Sequence, residues 1–180
     1  LVDALIATED SRFFQHNGLD IARFIKASFG QLLGQNAGGA STITMQLVKK
    51  TYTNSESSGI RGIIRKFTDI YMAIFKIENC YTKEEILEFY SNSLWYASSS
   101  DINTSGIYGI EQASQHFFGK SVRDLNLAEA TLIVGMYQNP RLYNPFRNPV
   151  GCRNRQKIVL QLMVNHGYIS EEEKDSVLKI

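Results

Sequence analysis

Proline is nearly missing from this chain. Its three prolines all fall between Pro140 and Pro149, so proline bars helix nowhere before that stretch. Alternating apolar and polar residues are also lacking over any useful length, which speaks against a half-buried sheet. No internal repeat is seen. Apolar runs are short: the one at 130–137 contains a glycine and falls well below the about 20 residues a bilayer-spanning helix needs. Two cysteines occur, Cys80 and Cys152, with no Cys-x-x-Cys and no His/Cys cluster. That excludes the usual zinc patterns and leaves two free thiols as the default, a disulfide being open only in an oxidising compartment. Charge of one sign is lacking too. The 19 Lys and Arg against 18 Asp and Glu leave a net charge of +1, too weak a field to point to nucleic acid. The chain starts without Met, inside an apparent helix and with no signal peptide. Its length suits one domain with a proper core. The expectation is a domain excised from a longer, membrane-anchored protein.

What remains is helix, so the expected fold is all-α. Residues 1–8 read as a helix ending at the Glu9-Asp10 pair. Another starts at Leu19-Asp20 and runs to about 33, with Ile21, Phe24, Ile25, Phe29, Leu32 and Leu33 at helical spacing. That face fits core packing or, with Arg23 and Lys26 beside aromatics, a membrane surface; the pattern leaves both open. Ser41 is the expected cap of a helix to about 52. Residues 59–79 read as one long helix. Arg61, Arg65 and Asp69 are spaced by four along it, with Lys66 adjacent and Lys76 two turns beyond Asp69. The opposite face, Ile63, Ile64, Phe67, Ile70, Tyr71 and Ile74, predicts a central helix whose basic stripe looks into a cleft. Thr82-x-x-Glu85, Asn126-x-x-Glu129 and Ser170-x-x-Glu173 are capping signals. They open helices to about 92, to about 136, and at the end of the chain. Residues 94–105 read as a loop, 108–118 as a helix stopped by Gly119, 139–149 as irregular, and 151–165 as a helix ended by Gly167. The polar turns 35–39 and 53–58 are expected to be the least ordered.

Two stretches carry candidate chemistry. In Glu9-Asp10-Ser11-Arg12-Phe13-Phe14-Gln15-His16-Asn17-Gly18, adjacent helical carboxylates point about 100° apart, so one faces a given pocket. Glu9 follows Leu5 and Ile6 at inward spacing, where burial would raise its pKa and suit it to take a proton. The plainer reading is a charged helix end. In the second stretch, Thr42, Gln46 and Lys49 share one helix face beside Ser41, a polar face fit to hold an oxyanion or phosphate. The plainer reading there is a solvated surface. For Arg61, Arg65 and Asp69 it is an exposed ion-pair ladder.

Taken in order, the motifs are Glu9-Asp10-x-x-Phe13-x-x-His16-x-Gly18, with Phe13 and not Phe14 in its slot; Gly39-x-Ser41-Thr42-Ile43-Thr44-x-Gln46-x-x-Lys49; Arg65-Lys66; Lys83-Glu84-Glu85-Ile86-Leu87-Glu88 leading to Asn92; and Phe117-Phe118-Gly119-Lys120 followed by Leu127-Ala128-Glu129-Ala130. This series resembles the peptidoglycan glycosyltransferases of family 51. These are the polymerase domain of bifunctional penicillin-binding proteins and the monofunctional transglycosylases. The resemblance covers nearly the whole chain. It implies a lysozyme-like bilobal fold with a larger lobe and a smaller membrane-facing jaw at about 20–60. It implies polymerisation of lipid II into glycan strands, with inversion, at the extracytoplasmic face of the bacterial cytoplasmic membrane. Glu9 matches the family's base and Asp69 its second acidic residue. Ser41, Thr42 and Gln46 match the lining of the donor site. Lys49, Arg61, Arg65 and Lys66 match the groups around the pyrophosphate, and Lys76 falls near a further basic position. The implied partners are lipid II, the growing glycan strand, a membrane surface and a transpeptidase domain in the same parent chain, with no nucleic acid. No cofactor is obligatory; a divalent cation, Mg²⁺ or Mn²⁺, is compatible, with Asp69 as its carboxylate.

The chain departs from the family at several places. Asp69 replaces Glu, Met45 replaces Gln and Lys50 replaces Asn. The segment from Asn92 to Ala97 is altered, residues 98–104 are extra, and one residue is inserted before Thr82. Two other classes stay in view: a lysozyme-like enzyme that cleaves peptidoglycan, and a catalytically weakened module that binds lipid II. A hydrolase needs an acid to protonate its sugar leaving group and has no use for the basic stripe.

Overall fold

The computed structural model describes residues 1–33, 39–53, 59–97 and 106–179. The turn at 35–39 lies outside these apart from Gly39, as do 54–58 and the extra stretch 98–104. The described residues are mainly helical, as the sequence predicts, and form two compact units: 1–11 with 91–180, and 12–90.

The first unit is built on α1 (Val2–Glu9), α8 (Leu127–Tyr137) and α9 (Pro149–Asn165), which pack on one another. Four successive α1 residues, Ala4, Leu5, Ile6 and Ala7, are buried, so the helix is enclosed rather than amphipathic. Gly135 of α8 lets α9 approach closely: a Cβ there would meet Arg155 Cγ at 3.3 Å. Buried Gln156 ties the same pair of helices by donating to Ala128 O at 2.7 Å and to Thr131 Oγ1 at 3.2 Å. Asn126 and Glu129 form the expected capping box. Around this core lie α7 (Ile110–Phe118), stopped by Gly119 at φ 69°, and α10 (Glu171–Lys179). One antiparallel pair, β1 (Trp95–Ala97) with β2 (Ile107–Tyr108), corrects the reading of 94–105 as loop and of 108 as helix. The strands are too short to show alternation. Tyr96 is fully buried there, which pushes its phenol pKa up.

The second unit holds a 3₁₀ turn (Phe13–Gln15), α2 (Ile21–Leu32), α3 (Ile43–Thr51), α4 (Gly59–Met72) and α6 (Lys83–Asn92). From α4 the helix runs on through a π turn (Ala73–Ile77) into the short α5 (Glu78–Cys80). A π turn carries more residues per turn without breaking the rod, so it suits a segment with an inserted residue. Gly18, at φ 80°, lies against this turn. A Cβ on it would come within 2.9 Å of Ala73 C and 3.0 Å of Ile74 N. Only a glycine allows both that φ and that approach.

The orientation of α4 reverses the expected one. Its one buried residue is Asp69, and Arg65 is half-buried beside it. The apolar face is open instead: Ile60 is 78%, Phe67 65% and Ile64 60% exposed, with Ile63, Tyr71 and Phe75. On α2, Ile21, Ile25 and Phe29 are exposed as well, so the core reading of that helix fails for them. Period alone tells which residues share a face, not whether protein covers it.

Candidate active site

Glu9 ends α1 and Asp10 caps it, donating its N–H to Ile6 O at 2.9 Å. Asp10 is the fully buried carboxylate; Glu9 is half-exposed. The expectation that Glu9 is buried is therefore corrected. Its side chain is the one of the pair that solvent or a substrate can reach. The backbone turns after Glu9, as φ −157° at Asp10 records, and this sends the two carboxylates to different surroundings.

Three residues after Glu9, the chain is locked by charge. Arg12 donates through Nε and Nη2 to buried Asp20, at 2.9 and 2.5 Å. Burial would raise the Asp20 pKa, but the Arg23 N–H and the Arg12 guanidinium outweigh it and hold the carboxyl below its ordinary value. Lys83 reaches the same turn from α6. Its Nζ donates to His16 O at 2.6 Å and to Glu78 at 2.8 Å, and lies 4.3 Å from the centre of the Phe13 ring. Thr44 donates to Glu78 at 2.5 Å.

The cap of α3 is Thr42, not Ser41. Thr42 Oγ1 accepts from Met45 N at 3.2 Å and donates to Gly18 O at 2.6 Å, fully buried. Its hydroxyl is committed inside the protein, where it joins the start of α3 to the Gly18 turn. Ser41 and Gln46 are half-exposed and Lys49 is exposed. Gln46 Oε1 accepts from the Tyr90 hydroxyl at 3.1 Å.

On α4, Asp69 accepts from Thr53 Oγ1 at 2.8 Å and from Arg65 Nη1 at 3.4 Å, one donor on each oxygen. Arg65 Nε is buried without a hydrogen-bond partner among the described residues. Lys66 is half-buried with Nζ 5.6 Å from the centre of the Phe24 ring, while Arg61 and Lys76 are exposed, Lys76 within the π turn. A divalent metal needs several free oxygen ligands. Both Asp69 oxygens already accept, one from a cation, and among the described residues no group of three His, Cys, Asp or Glu side chains could hold an ion. The donor set at Asp69 does not fit a metal held by protein alone.

The sequence named Glu9, Gln46, Lys49, Arg65 and Asp69 but not Thr53, Tyr90 and Lys83, which hold three of these surroundings in place. Lys83 carried only the signal of its motif, since a partner 67 residues away, His16, leaves no local pattern. Cys80 and Cys152 are both free thiols, Cys152 buried and its pKa pushed up to about 11 by that burial.

Comparison with known proteins extends over the same stretch. The family described as transglycosylase matches residues 1–164. Penicillin-binding protein 1B of Haemophilus influenzae is 40% identical over 173 residues, 96% of this chain and 21% of that protein. Penicillin-binding protein 1A of Neisseria flavescens is 38% identical over 180 residues, 99% of this chain and 21% of that protein. Penicillin-binding protein 1A of Streptococcus pneumoniae is 35% identical over 178 residues, 99% of this chain and 24% of that protein. The chain thus spans about a fifth to a quarter of the length of these curated relatives. A crystal structure of penicillin-binding protein 1A from Haemophilus influenzae, 34% identical, superposes over 61% of this chain and 15% of that one with a TM-score of 0.48, too partial a match to argue from. With the matched region running from residue 1 past Glu9, α3 and α4 into the last turns of α9, the chain belongs to the transglycosylase family.

Proposed function

We propose that this chain polymerises peptidoglycan glycan strands from lipid II, acting at the extracytoplasmic face of the cytoplasmic membrane. Glu9 takes the proton of the acceptor's 4-hydroxyl as that oxygen bonds to the donor's anomeric carbon from the face opposite the leaving group. The bond from that carbon to the pyrophosphate oxygen breaks, and the configuration inverts. The departing pyrophosphate keeps the electron pair and needs cations rather than a proton, which Lys49, Arg61, Arg65 and Lys66 supply, with Lys76 further along. Ser41 and Gln46 line the donor site. A divalent cation, where one takes part, is held chiefly by the substrate's own phosphate oxygens.

One observation carries this reading over a hydrolase. Both oxygens of Asp69 accept hydrogen bonds, from Thr53 and from a guanidinium. That is the setting of a carboxylate that braces cations, not of an acid aimed at a sugar leaving group. The exposed apolar faces of α2 and α4 support a membrane surface as partner. The longer relatives support a transpeptidase domain in the parent chain.

The test is polymer formation from lipid II by wild type and Glu9→Gln. The amide keeps shape but cannot take the proton, so turnover falls about 10²- to 10⁴-fold while binding of moenomycin, the family's donor-strand mimic, persists. Turnover above about a tenth of wild type removes Glu9 as the base. Release of fragments from added sacculi would favour the hydrolase, and binding without turnover the weakened module.

A further inference from the structure

Tyr90 lies in the core of the second unit, 0% exposed, yet it carries a hydroxyl. Packing alone does not ask for that oxygen, since a phenylalanine ring fills nearly the same space. A buried tyrosine hydroxyl needs a partner. Here it donates to Gln46 Oε1 at 3.1 Å, from α6 to α3 across 44 positions of the chain. Tyr90 is thereby tied to the half-exposed member of the polar α3 face.

A carboxamide has two ends of nearly equal shape and opposite character. Its oxygen only accepts and its NH2 only donates. A hydroxyl that donates from the core takes the oxygen, so Nε2 turns the other way. Lys49, on the same helix face, is exposed and also only donates. The face therefore meets a ligand with donors, one neutral and one charged, which is what an oxyanion needs. With the amide reversed, a lone pair would face the anion beside the ammonium.

We propose that Tyr90 is a positioning residue, which fixes the Gln46 amide so that Nε2 donates to a phosphate oxygen of the donor's leaving group. The inference rests on the polymerase reading for the identity of that anion. Tyr90, fully buried, acts on the substrate only through Gln46, a role separate from the chemistry at Glu9.

The experiment is a double-mutant cycle on the full chain. It reads the affinity for moenomycin, whose phosphodiester stands in for the donor's phosphate, by fluorescence anisotropy. Tyr90→Phe removes the hydroxyl alone and leaves the amide to swing. It is expected to weaken binding about two- to tenfold, the cost of ordering one such side chain. Gln46→Met is expected to weaken it at least about tenfold, and adding Tyr90→Phe to that variant is expected to change nothing further. Gln46→Glu keeps an acceptor for Tyr90, and so keeps the melting temperature, but turns a negative oxygen to the anion; binding is expected to fall at least about tenfold. A tyrosine that only holds the core together gives another pattern: a lower melting temperature in Tyr90→Phe with unchanged affinity. That result, additive losses in the double variant, or wild-type affinity in Gln46→Glu overturns the proposal. Wild type that binds no moenomycin overturns it as well. Polymer formation from lipid II is measured on the same samples. Polymer with an additive cycle removes the role of Tyr90 and leaves the polymerase; a coupled cycle without polymer does the reverse.

Discussion

Asp69 is held by two donors from different places in the chain, and its shorter side chain than the family's glutamate is already accommodated. Thr53 and Arg65 each take one oxygen, and the residue is 4% exposed. An added methylene would drive the carboxylate into those partners, so Asp69→Glu is expected to lower polymerisation or leave it flat, not raise it. Asp69→Ala strands Arg65 and Thr53 and is expected to cost about 3 kcal/mol along with most activity. Thermal unfolding and lipid II turnover check both; full activity in Asp69→Ala would mean that this carboxylate only balances charge. Lys83 is a second case. Removing it leaves Glu78, with 5% of its side chain exposed, with Thr44 as its remaining side-chain donor among the described residues. Lys83→Met is therefore expected to cost about 3 kcal/mol, as breaking a buried ion pair does, read as a lower denaturation midpoint.

The π turn shows what one element owes to another. Gly18 packs its backbone on Ala73 and Ile74, and Thr42 bonds to Gly18 O while it caps α3. The Gly18 turn thus joins the start of the Gln46 and Lys49 helix to the middle of the Arg65 and Asp69 rod. Gly18→Ala meets a left-handed φ, costing about 1–2 kcal/mol, and a backbone overlap costing about 1–3 kcal/mol. The melting temperature is expected to fall by roughly 4–20 °C, which differential scanning calorimetry can read. A fall of less than about 2 °C would show that the π turn yields freely.

At the scale of the molecule, the apolar faces of α2 and α4 are large for a surface that meets only water. None of the described helices is long and apolar enough to cross a membrane, so these faces suit lying on one. Phe29→Asp with Phe67→Asp replaces two exposed aromatics, 63% and 65% open. The pair is expected to lower sedimentation with anionic vesicles at least about tenfold, while neither change touches the core. Unchanged binding would require another membrane contact.

The sequence by itself determined the helical class, the capping boxes at Asn126 and Ser170, the Gly119 stop, and the motif series from Glu9 to Glu129. Each of these rests on neighbours within about one turn, or on residue order alone. The tertiary structure decided the rest. It settled which carboxylate of the Glu9-Asp10 pair is open, since the turn after α1 buries Asp10. It gave the cap of α3 to Thr42 and engaged that hydroxyl at a residue 24 positions away. It turned α4 so that Asp69 and Arg65 face in and Ile60, Ile63, Ile64 and Phe67 face out. A 3.6-residue period fixes the faces of a helix but not what covers each one; that depends on partners far along the chain, and no local pattern records them.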